Sequence, residues 1–106
     1  MKAKHIEIIK EVIGLTPKDA DVKTMRTMIL AEELAELTAA IMQHARKPED
    51  MPVEKLTEEI ADAYITLEGY KIAFGIADET VEDAIDAKAK KLADRMELVK
   101  QGKVYY

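Results

Sequence analysis

Apolar residues along this chain recur every three or four positions, the spacing of one face of an α-helix. The first such row is Ile6, Ile9 and Ile13, which predicts a short helix over 4–13 with Gly14 as its stop. Thr16 and Pro17 open a new turn, since threonine caps and proline suits the first helical position. Asp21 is placed to cap a long helix over 21–46, whose row is Leu30, Leu34, Leu37 and Ile41. Lys47 to Pro52 contains Pro48 and Pro52 and reads as a loop. A second long helix over 53–74 has the row Leu56, Ile60, Ala63 and Leu67 and ends at Gly75. Asp78 or Thr80 can cap a last helix with an acidic first turn (Glu79, Glu82, Asp83), as the helix dipole favours. Its row is Val81, Ile85, Leu92, Met96 and Val99, it ends near Gly102, and residues 103–106 form a tail. The pattern predicts an all-α fold in a single domain over 1–106, a four-helix-bundle type of subunit with two long antiparallel helices. Apolar surface on several helix faces calls for a homodimer, or a tetramer built from dimers, to bury it.

The polar positions repeat as well. Glu32-Glu33-Leu34-Ala35-Glu36 aligns with Glu58-Glu59-Ile60-Ala61-Asp62, and each long helix thus carries carboxylates at i and i+3 on one face. At about 100° per residue, the first acid of each pair (Glu33, Glu59) lies roughly 60° from its apolar row and the second (Glu36, Asp62) roughly 120°, on the same side. If the two rows pack against each other antiparallel, the two acidic edges converge. Carboxylates crowded in that way repel one another unless some hold protons or a cation sits among them.

Composition narrows the chemistry. The net charge of −5 argues against a general nucleic-acid surface. There is no cysteine, which excludes disulfides, zinc thiolates and thiol nucleophiles. No apolar run approaches the roughly 20 residues that span a bilayer, so no membrane segment is expected and the default location is the cytoplasm. Tyr64 and Tyr70, beside apolar rows, are expected in the core.

One i,i+3 acidic pair is ordinary solvated helix surface as a rule. Two pairs in the same register beside two apolar rows point to a site for a hard divalent cation such as Mg²⁺ or Mn²⁺. A di-iron bundle would need Glu-x-x-His on two helices. Lys2 precedes His5 and Ile41 precedes His44 by three, so neither histidine fits, and both are expected at helix surfaces or ends. On the last helix Lys88, Lys91 and Arg95 share a face: alone a solvated stripe, beside a metal cluster a clamp for phosphate oxygens.

Glu32-Glu33-x-x-Glu36, then 22 residues, then Glu59-x-x-Asp62, resembles the signature of the MazG-type all-α nucleoside triphosphate pyrophosphohydrolases. The Lys88/Lys91/Arg95 segment is similar to the basic segment that follows that signature, and the resemblance covers roughly residues 20–100. It implies that Glu33, Glu36, Glu59 and Asp62 hold Mg²⁺, with Mn²⁺ as a substitute. It implies that Glu32 positions or deprotonates water and that Lys88, Lys91 and Arg95 meet phosphates. The family fold is a helical bundle completed by dimerisation, and its reaction converts a nucleoside triphosphate to the monophosphate and pyrophosphate. Two other readings stand beside it. One is a non-catalytic helical dimerisation or binding module, the other a hydrolase of a different nucleotide on the same scaffold.

Overall fold

The computed structural model describes residues 1–104, and these form four α-helices with no strand: α1 (Ala3–Gly14), α2 (Val22–Arg46), α3 (Val53–Phe74) and α4 (Asp78–Lys100). The chain divides into two compact units, Met1–Gly75 with α1 to α3 and Ile76–Tyr106 with α4. Tyr105 and Tyr106, the end of the tail, lie outside the described residues.

The helix ends follow local chemistry. One Asp21 carboxylate oxygen accepts from the backbone N–H groups of Lys23 (3.0 Å) and Thr24 (3.4 Å), and the other accepts from the Thr24 hydroxyl (2.8 Å). These bonds, that of the Thr24 side chain above all, hold the Asp21 carboxyl below its ordinary value. α3 stops at Gly75, whose φ of 67° is the left-handed conformation glycine adopts without strain. α4 corrects the expected cap: Ala77 occupies the extended position before the helix, no side chain caps it, and Asp78 is already helical. Thr80 lies inside the first turn, so neither predicted residue sits where a cap must.

The six residues from 47 to 52 return α3 alongside α2, and two contacts fix the register. At the loop end, Nδ1 of half-buried His44 lies 2.7 Å from the Met51 carbonyl oxygen. At the other end, the stem of Arg26 lies against Gly69. Seven residues on from Arg26 is Glu33, and seven back from Gly69 is Asp62. One turn along, Glu36 of α2 and Glu59 of α3 stand at the same height. Antiparallel pairing therefore brings the acidic pairs of α2 and α3 to the same height.

The face that makes this contact differs from the expected one. The covered or half-covered row of α2 includes Leu30, Glu33, Leu37, Ala40 and His44, and that of α3 includes Leu56, Glu59, Ala63, Thr66 and Tyr70. Leu34, Ile41, Ile60 and Leu67 remain 47, 50, 38 and 47% exposed. The seam is thus rotated toward the acids, so that Glu33 and Glu59 lie within it rather than on its edge. Small residues explain the rotation: Ala40 and Ala63 are buried at 3 and 7% and let the two backbones close on that row. Tyr64 also departs from expectation, standing 68% exposed, whereas Tyr70 is half-buried and stacks on Phe74 with ring centroids 4.4 Å apart.

α1 packs on α3 over Gly69. A Cβ there would lie 3.6 Å from Ile9 Cγ2 and 3.8 Å from both Arg26 Cδ and Ile13 Cδ1, which is ordinary contact. Gly69→Ala is therefore expected to stabilise the protein by up to about 1 kcal/mol through helix propensity, read by chemical denaturation. A loss of stability would mean that this crossing tolerates no methyl group.

In the second unit, Val81 is half-buried and every other residue of α4 is exposed, including Ile85, Leu92, Met96 and Val99 at 50, 45, 50 and 37%. α4 closes with Gly102 at φ 71° and the Lys103 N–H on the Leu98 carbonyl (3.0 Å).

Candidate metal centre

The acidic positions follow from the register just described. Glu33, Glu59 and Asp62 each offer an oxygen, and the three oxygens lie within 4.8 Å of one another. Glu33 and Glu59 are half-buried in the seam, and Asp62 is exposed at its margin. One oxygen of Glu33 and one of Glu59 (Oε2 in each) are shut off from water and accept no hydrogen bond from the described residues. A buried carboxylate oxygen without a donor is costly, and two of them side by side more so.

The electrostatics record the crowding. The Glu33 carboxyl is pushed above its ordinary value of 4.5, first by burial and then by the charges of Glu36, Asp62, Glu59 and Glu32 in that order. The folded state therefore holds a proton on Glu33 where the unfolded chain has lost it. Stability from this group is full below about pH 4.5 and is lost as the pH rises through the raised value. In metal-free buffer, Glu33→Gln is expected to melt above the parent protein at pH 7 and level with it below pH 4.5, read as melting temperature against pH. A constant difference at all pH values would show that Glu33 titrates as in the unfolded chain.

A divalent cation would supply what these groups lack: positive charge where three carboxylates meet, and a partner for oxygens that have no donor among the described residues. The residues present fit such an ion. Three of the four expected ligands come together. Glu36 is exposed beside them, and its charge acts on Glu33 more than that of any other acid, but its oxygen is not within the triad. Glu32 is exposed on the same acidic edge of α2 and also bears on Glu33. Lys88, Lys91 and Arg95 belong to the second unit, where all three are exposed along one face of α4.

Sequence reasoning missed Arg26. It is half-buried, and its Nε is shut off from water with no acceptor among the described residues. The spacing could have revealed it, for Arg26 stands seven before Glu33 just as Gly69 stands seven after Asp62.

No protein-family model, curated protein or solved structure matches this chain.

Proposed function

We propose that this protein is a divalent-metal-dependent nucleoside triphosphate pyrophosphohydrolase that releases the nucleoside monophosphate and pyrophosphate. The observation that carries the reading is the pair of buried carboxylate oxygens without donors, on Glu33 and Glu59, with Asp62 beside them. Ordinary solvated acids do not sit in a helix seam with an oxygen closed to water. The resemblance of the two acidic motifs to the MazG type supplies the reaction class.

Glu33, Glu59 and Asp62 would hold the ion, with Glu36 completing the set when its side chain turns inward. Bound there, Mg²⁺ offsets the negative charge that would repel a triphosphate and lowers the pKa of a water molecule. Glu32, on the acidic edge, would be the group that accepts a proton from the attacking water. Water then adds to the α-phosphorus, the bond from that phosphorus to the bridging oxygen breaks, and pyrophosphate leaves with the electron pair. By the resemblance, Lys88, Lys91 and Arg95 of the second unit would be the cations that meet phosphate oxygens.

The active form is a dimer. Leu34 and Ile41 of α2 and Ile60 and Leu67 of α3 lie on one side of the hairpin, and Glu36 and Asp62 lie on the other. The four apolar residues are the surface a second copy covers in a helical bundle.

The test is a screen of nucleoside triphosphates with Mg²⁺, reading pyrophosphate against orthophosphate. Pyrophosphate with equimolar monophosphate is expected. Release of orthophosphate alone would assign the site to a different hydrolase. No turnover of any triphosphate with Mg²⁺ or Mn²⁺ would leave a binding module.

A further inference from the structure

We draw no further inference here: the strongest candidate, the apolar cleft between α1 and α3 lined by His5, Ile8, Ile9 and Ile65, is an unpartnered apolar face, and nothing in the structure shows what covers it.

Discussion

Glu33→Gln is expected to lower magnesium-dependent pyrophosphate release by at least about 100-fold while leaving the helical fold intact. The substitution keeps the shape of the side chain and removes one negative charge from the most crowded position in the cluster. Burial and the charges of Glu36, Asp62, Glu59 and Glu32 all act on this carboxyl. Its ionised form is thus disfavoured in the metal-free site, and a bound cation would favour it. The two effects have opposite signs. Without metal, the glutamine variant should melt above the parent at neutral pH. With metal at 100 times its dissociation constant, the parent gains about 2.7 kcal/mol, or roughly 10 °C, and the variant gains much less. Lys18→Gln, in the exposed turn before α2, is the control and should move neither quantity. A variant that turns over triphosphate at the parental rate would return Glu33 to the status of an ordinary acid.

Leu67→Glu is expected to dissociate the proposed dimer. Leu67 is 47% exposed and lies with Leu34, Ile41 and Ile60 on the side of the hairpin away from Glu36 and Asp62. An exposed leucine tolerates glutamate in a monomer, because the charge stays in water. At the centre of a buried interface the same change costs about 2 kcal/mol or more, at least about thirtyfold in the dissociation constant. Sedimentation at micromolar concentration should show the parent as a dimer or tetramer and the variant shifted toward monomer. A parent that sediments as a stable monomer would overturn the oligomer outright.

The helices were legible because their ends are written in local chemistry. Asp21, the prolines at 48 and 52 and Gly75 act on their own neighbours, and the bounds of α2 and α3 follow from them. The cap of α4 was not legible, since Asp78 and Thr80 are both good capping residues and the chain uses Ala77. The seam was half legible. Leu30, Leu34, Leu37 and Ile41 form one row on a wheel, but a wheel does not say which half of a wide row meets the same chain. Here Ala40 and Ala63 draw the helices together on the acidic side, and Leu34 and Ile41 are left outward. Tyr64 was misread for the same reason: it lies on the outward side of that row. The convergence of Glu33, Glu59 and Asp62 could be read from matching i,i+3 pairs, because an antiparallel register preserves such spacing. Arg26 was not read, because a basic residue in a helix is solvated far more often than buried, and only the register places it opposite Gly69.

The most direct measurement is the position of the ion itself. Crystals grown or soaked with Mn²⁺ are expected to show one or more anomalous peaks where the carboxylates of Glu33, Glu59 and Asp62 meet, at roughly 2.0–2.6 Å from their oxygens, with Glu36 drawn in to join them. Saturating Mn²⁺ with no peak at this point, or with peaks only on the exposed acids of α4, would contradict the account.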